Sequence, residues 1–208
     1  MFGQALRFLR CALGAVVFMG LALPAAAEVR VTDITGRDVV LPAPATRIVL
    51  GEARHMAVLG LMHDDPVSLV AGWRADKGLD APTLAAYQAK FPAIDAIASV
   101  GSGNRGISVE SVIALQPDLL VLSLIDTADP AMKIAETQIE AAGIPVVYVD
   151  FFSHPQENSI PSLRILGAAE PAQAGGVQDG AARIALAMGA DYAAQLSPGA
   201  VALISEGM

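Results

Sequence analysis

Cysteine is nearly missing from this chain. The only one, Cys11, lies in the apolar N-terminal stretch, so nothing beyond it can form a disulfide, a thiolate metal site or a cysteine nucleophile. Cys11 also lacks the Leu-Ala-Gly context of a lipoprotein site. Basic residues are few, 13 Lys and Arg against 21 Asp and Glu, for a net charge of -8. No Lys/Arg cluster interrupts that acidity, which argues against a nucleic-acid partner. There is no Walker A motif, no G-x-S-x-G elbow and no H-E-x-x-H pair. Ser205 and Glu206 follow an apolar run, but no base accompanies them. No catalytic residue is assigned, and an enzyme is not expected.

The N-terminus has the form of a secretory signal. Arg7 and Arg10 supply the positive region, Cys11 to Leu23 the apolar region, and Ala25-Ala26-Ala27 a small-residue cleavage site. Cleavage after Ala27 would leave Glu28 first and place the mature protein in the periplasm. The apolar run ends at Pro24, short of the roughly 17 residues that a membrane span needs. Hydrophobic residues make up 54% of the chain and the mean hydropathy is +0.52. Even without the signal, such a chain must bury a substantial core.

From Val29 onward, strand and helix patterns alternate. Val29 to Thr32 and Asp38 to Leu41 read as a hairpin around Thr35-Gly36-Arg37. Strands are expected at Arg47 to Leu50, Val67 to Ala71, Ile97 to Val100, Leu119 to Ser123 and Val146 to Asp150. Helices are expected at His55 to Leu61, Ala81 to Phe91, Ala131 to Ala142 and Ser159 to Ala169. A further helix starts after Ser108, which can cap it, with Glu110 in its first turn. LLVLS at Leu119 reads as a strand buried on both faces. This order predicts an α/β fold, a parallel-sheet, Rossmann-like lobe with flanking helices and right-handed crossovers.

In open α/β sheets, ligands sit at the carboxyl ends of the strands. That rule selects Glu52, Arg54 and His55 after the first core strand, and Gly72, Trp73 and Arg74 after the second. It further selects the Gly101 to Gly106 loop with Asn104 and Arg105, then Ser123, Leu124 and Asp126, then Phe151, Phe152 and His154. Arginines with aromatics at one rim suit a large, anionic, partly apolar ligand. The ligand-binding candidates are therefore Glu52, Arg54, Trp73, Arg74, Asn104, Arg105, Phe151 and Phe152. Gly101-Ser102-Gly103-Asn104-Arg105-Gly106 also matches G-x-G-x-x-G, with Asp126 twenty positions on, leaving a dinucleotide-binding oxidoreductase as an alternative. The bland reading of those glycines is a sharp turn into the helix. A metal site using His55 and His154 with carboxylates is another alternative, although no metal ligand set is assigned. His63-Asp64-Asp65 reads as an exposed polar loop.

The run Ser108 to Val121, Ser-Val-Glu-Ser-Val-Ile-Ala-Leu-Gln-Pro-Asp-Leu-Leu-Val, resembles a recurrent segment of the periplasmic binding proteins of ABC importers for ferric siderophores, haem and cobalamin. Pro44-x-x-Arg47-Ile48-Val49 and Ala142-Gly143-Ile144-Pro145-Val146 extend the resemblance. It implies capture of a ferric siderophore, or of haem, cobalamin or a metal ion, between two lobes joined by a long helix. It implies delivery to an inner-membrane permease, with Glu110 docking on the permease, no cofactor and a monomeric protein. On this reading residues 1–27 are the signal, 28–168 the first lobe, 169–197 the interlobe helix, and 198–208 the first strand of a truncated second lobe.

Overall fold

The computed structural model describes residues 28–101, 106–171, 176–178, 180 and 181. The signal, Asn104, Arg105, most of the expected interlobe helix and the expected second-lobe strand lie outside the described residues.

A two-stranded antiparallel hairpin, β1 (Val29–Thr32) and β2 (Asp38–Leu41), precedes a five-stranded parallel sheet. The sheet strands are β3 (Ile48–Leu50), β4 (Val70–Trp73), β5 (Ala98–Ser99), β6 (Leu119–Ser123) and β7 (Val146–Val149), in the order β5-β4-β3-β6-β7. Every residue of β3, β6 and β7 is buried. This is the continuous apolar pattern of strands covered on both faces. Ile48, Leu50, Leu119, Val121, Val147 and Val149 face α1 (His55–Met62) and α5 (Pro155–Ala169), meeting Met56, Leu59, Leu163 and Leu166. The alternate residues Val49, Leu120, Leu122, Val146 and Tyr148 face α3 (Val109–Ala114) and α4 (Pro130–Ala141), meeting Val112, Met132 and Ile139. The remaining helix, α2 (Ala81–Lys90), ties to α1 through the Tyr87 hydroxyl, which donates to the Met56 carbonyl at 3.0 Å.

The hairpin is pinned to this sandwich by one arginine. Arg37 donates to Asp33, Glu136, Glu140 and the Val146 carbonyl, and Tyr148 donates its hydroxyl to the same buried Glu136. Burial, and then the Glu136 carboxylate beside it, raises the Tyr148 hydroxyl pKa.

The boundaries differ from expectation by three residues or more at two places. Val67–Leu69 is a 3-10 turn, because Pro66 starts it and Ser68 bonds back to Asp65 through both its amide and its hydroxyl. The strand therefore starts at Val70 and runs to Trp73, which places Gly72 and Trp73 inside it rather than beyond its end. Helix α5 starts at Pro155, four residues early. Asp150 organises that start by accepting the amides of Phe152, Ser153 and His154 and the Asn158 side-chain amide. Proline at the first helical position loses no intrahelical bond, and Pro161 is accommodated inside the helix. Glu170 ends α5 in an extended conformation, so the following helical residues 176–178 are not a continuation of it.

Candidate functional site

The first strand of the sheet is central. From β3 the chain moves to β4 and β5 on one side, then crosses to β6 and β7 on the other. In open sheets of this kind, ligands bind at the carboxyl ends of the strands flanking such a switch point, here β3 and β6. Gly51 makes close approach possible there. A side chain on it would lie 2.6 Å from Leu122 and 2.9 Å from the Val121 carbonyl, to which the Gly51 amide donates.

Glu52 follows directly and is fully buried. It accepts from Arg54 Nε at 2.6 Å and Lys77 Nζ at 2.9 Å, with Arg74 Nη2 3.9 Å away. Burial works against its charge, but the hydrogen bonds from Arg54 and Lys77 outweigh it, and its pKa lies below the ordinary carboxylate value. Backbone bonds from Ala53 to Arg74 and from Arg54 to Lys77 fasten the two loops together.

Arg74 is also buried, 3% exposed. Its guanidinium lies 3.5 Å from Asp126 and 3.6 Å from Asp76. Asp126 reaches it from the 3-10 turn Leu124–Ala128, where Asp126 also accepts the Ser123 amide in a capping box. Burial raises the Asp126 pKa, partly offset by the Arg74 charge. The charge of Arg74 is thus matched within the fold, and the Asp126 carboxylate is engaged rather than presented to a ribose.

Arg54 is different. Its guanidinium lies over the Phe152 ring, 3.5 Å from the centroid, and its side chain is 37% exposed. Among the described residues, Glu52 is its one hydrogen-bond partner, leaving both Nη nitrogens uncommitted. Phe152 is exposed, and Ile125 stands exposed on the turn after β6. Phe151 is buried, and Trp73 packs half-buried against the core. His55 sits beneath the aromatics, fully buried, 5.8 Å from Phe152 in a stacked pair and 6.0 Å from Phe151 edge-on. Burial pushes its pKa to about 4, with Arg54, Arg74 and Lys77 acting in the same direction and Glu52 opposing.

The structure therefore brings together Glu52, Arg54, Trp73, Arg74, Phe151 and Phe152. Lys77, His55, Ser123 and Asp126 join them without having been singled out as ligand contacts. Lys77 was legible as a charge four residues past Trp73, on the same strand end. The rim is open. Concavities bounded by His63, by Tyr87 and Phe91, by Arg37 and Glu140, and by Ile134 lie away from it.

The glycine loop closes on itself. A side chain on Gly101 would meet the Gly106 carbonyl at 2.2 Å, and Gly106 has a φ of +68°, a left-handed conformation that suits glycine. These are the demands of a tight neck before α3. His154 is exposed beside Asp150, and no three His, Cys, Asp or Glu among the described residues are grouped to hold a metal ion.

His63 contradicts expectation. It is buried, not exposed, and its Nε2 bonds Glu170 at the end of α5. Glu110 is exposed in the first turn of α3, where Ser108 caps the helix by accepting the Ser111 amide at 3.2 Å.

No protein-family model matches the chain, and no curated protein matches it as a relative. Solved structures do match. A TroA-like periplasmic binding protein, FepB from Veillonella parvula, is 29% identical over 74% of this chain, with a TM-score of 0.61. The chain's fold is that of the TroA-like periplasmic binding proteins. A periplasmic solute binding protein of Veillonella parvula DSM 2008 matches over 83% of the chain at 18% identity, with a TM-score of 0.62. The molybdate periplasmic binding protein MolA of Haemophilus influenzae matches over 81% at 19% identity, with a TM-score of 0.54. The chain spans 44%, 50% and 55% of the length of these three proteins. The resemblance read from Ser108 to Val121 is thus borne out at the level of the fold. These neighbours are binding proteins rather than enzymes. No helix among the described residues is long and apolar enough to cross a membrane.

Proposed function

We propose that this chain forms one wall of a periplasmic solute-binding protein that captures a ferric siderophore and presents it to an inner-membrane ABC permease. The observation that carries the reading is the rim at the switch point. There the uncommitted guanidinium of Arg54 lies over exposed Phe152, 3.5 Å from the ring centroid, at the strand ends that also carry exposed Ile125 and half-buried Trp73. A cationic fork flanked by apolar surface suits a ligand with exposed oxyanions and a greasy body. In this proposal Arg54 and Phe152 touch the ligand, and Asn104 and Arg105 extend the contact. Trp73 and Phe151 support that surface, while Glu52 and Arg74 hold it in shape. Glu110 contacts the permease.

Trp73 is the only tryptophan and reports on this rim. Titration with a ferric trihydroxamate, a ferric tris-catecholate, hemin, zinc and NAD, followed by tryptophan fluorescence, tests the reading. Quenching by a ferric siderophore and not by NAD is expected. Quenching by hemin alone would move the ligand class to a tetrapyrrole. Tight zinc binding with no response to either iron ligand would replace the proposal by a metal-binding one.

A further inference from the structure

His55 is a buried polar ring with only one of its two nitrogens paired. It sits at 0% exposure at the first position of α1, and its Nδ1 has no hydrogen-bond partner. A bare polar atom in such a place carries a desolvation cost. What the ring does instead is stack. Its plane lies 16° from that of Phe152 at a centroid separation of 5.8 Å, and Phe151 closes the edge at 6.0 Å. A second partner of Phe152 is the Arg54 guanidinium, 3.5 Å from the ring centroid. The ring's rotation is set by Ser123 at the end of β6, whose Oγ lies 3.2 Å from His55 Nε2. Ser123 is itself fixed by the capping box with Asp126. An unbroken chain of contacts therefore runs from β6 through Ser123 and His55 to Phe152, and ends on the only rim guanidinium whose Nη nitrogens are free among the described residues.

We infer that His55 is a positioning residue for ligand capture: it holds Phe152 as a flat shelf, and the shelf holds Arg54 with its fork turned outward. This deepens the reading above and rests on it for the identity of the ligand, but the positioning itself is a property of the unliganded protein. Phe152 is exposed and follows a strand end, so without a buried ring behind it several rotamers are open to it. Arg54 would then keep its single Nε bond to Glu52 and lose its platform. A cation over an aromatic face is stabilised by the ring's quadrupole, and the stabilisation depends on the face being presented.

The test needs two readouts on the unaltered chain and on His55→Ala, His55→Phe and Ser123→Ala. The first is ligand-free NMR of the Arg54 side chain, whose terminal protons should lie upfield because the guanidinium carbon lies 3.5 Å from the Phe152 ring centroid. His55→Ala should return them to their ordinary position, and His55→Phe, which restores a ring without the imidazole, should keep them upfield. Ser123→Ala, which keeps the core volume, should give an intermediate shift. The second readout is Trp73 quenching by a ferric trihydroxamate, which His55→Ala should weaken about fivefold and His55→Phe by less than about twofold. Unmoved Arg54 signals in His55→Ala would overturn the inference, as would a His55→Phe variant that behaves like alanine. If the signals respond as described but the unaltered chain shows no quenching by any iron ligand, the positioning stands and the siderophore reading falls.

Discussion

Two histidines stand at opposite ends of one short helix, and their surroundings could hardly differ more. His55 opens α1 at the carboxyl ends of the strands, and His63 caps its other end. Both are buried. His55 lies at the positive end of the helix dipole among aromatic rings, and burial, with Arg54, Arg74 and Lys77 adding to it and Glu52 opposing, favours its neutral form. His63 meets a carboxylate, Glu170, at the negative end of the same dipole. One end of the sheet gathers charge into a network with an exposed outlet at Arg54. The far end of α1 closes a single pair in on itself. A fold can bury ionic groups at both ends, but only the network with an open edge can recruit a ligand.

The sharpest way to break this contrast is to remove the centre of the network. Glu52 has no exposure and serves Arg54, Lys77 and, at longer range, Arg74. Glu52→Ala leaves those cations without their shared carboxylate and should destabilise the protein by about 3–5 kcal/mol, the usual loss when one side of a buried ion pair is removed. Urea unfolding should show a lower midpoint with an unchanged slope. A change below about 1 kcal/mol would mean that Asp126 by itself holds Arg74 and the network is redundant.

Acidity should separate the two ends next. His55 has a folded pKa of about 4 against an ordinary 6.5, so between those values the unfolded chain binds the proton and the folded protein does not. Its contribution is therefore fully present above about pH 6.5 and lost as pH falls toward 4, about 3 kcal/mol in all. Glu170 has the opposite sign. Burial raises its pKa, partly offset by the bond to His63, so its contribution is lost as pH rises through that raised value. His55→Phe should flatten the slope of unfolding free energy between pH 6.5 and 4. An unchanged slope would show that the imidazole is not held neutral.

A smaller effect is expected at the closed end. Glu170→Ala strands His63 without its partner and should cost about 1–3 kcal/mol. Replacing both, His63→Phe with Glu170→Leu, should recover most of that loss, because an apolar pair of similar volume avoids the desolvation of two polar groups. The same strategy applied to Glu52 and Arg74 should fail, since Lys77, Asp126 and Arg54 would remain. Recovery at neither end would make the two regions equivalent.

Much of this was legible from residue order. The buried LLVLS strand, the Ser108 cap and the strand–helix alternation follow from patterns local to each segment. The location of the rim follows from the rule for open sheets. What was not legible depended on partners distant in the chain. His63 follows an apolar helix and precedes Asp64-Asp65, a local signature of exposure, yet its partner is Glu170. Arg74 reads as a free loop cation until Glu52 and Asp126 are brought beside it. Pro155 reads as lying ahead of the helix until Asp150 is seen capturing three successive amides. Local pattern predicts elements. It does not predict which charges meet.

The smallest effect on stability is expected at Glu110, which belongs to neither end's buried chemistry. It is exposed in the first turn of α3, and Ser108 contributes the cap. A carboxylate there interacts with the helix dipole by about 0.3–1 kcal/mol at most, and Glu110→Gln keeps the shape while removing the charge. If Glu110 docks on the permease, that charge matters for encounter and orientation, as rim charges generally do, rather than for the ligand. Glu110→Gln should therefore leave Trp73 quenching by a ferric siderophore unchanged and lower uptake by cells that carry the permease. Arg54→Gln should show the reverse order, weakening quenching first and uptake only in proportion. Uptake left intact by Glu110→Gln, or ligand binding weakened by it, would remove the docking role and return the residue to helix capping alone.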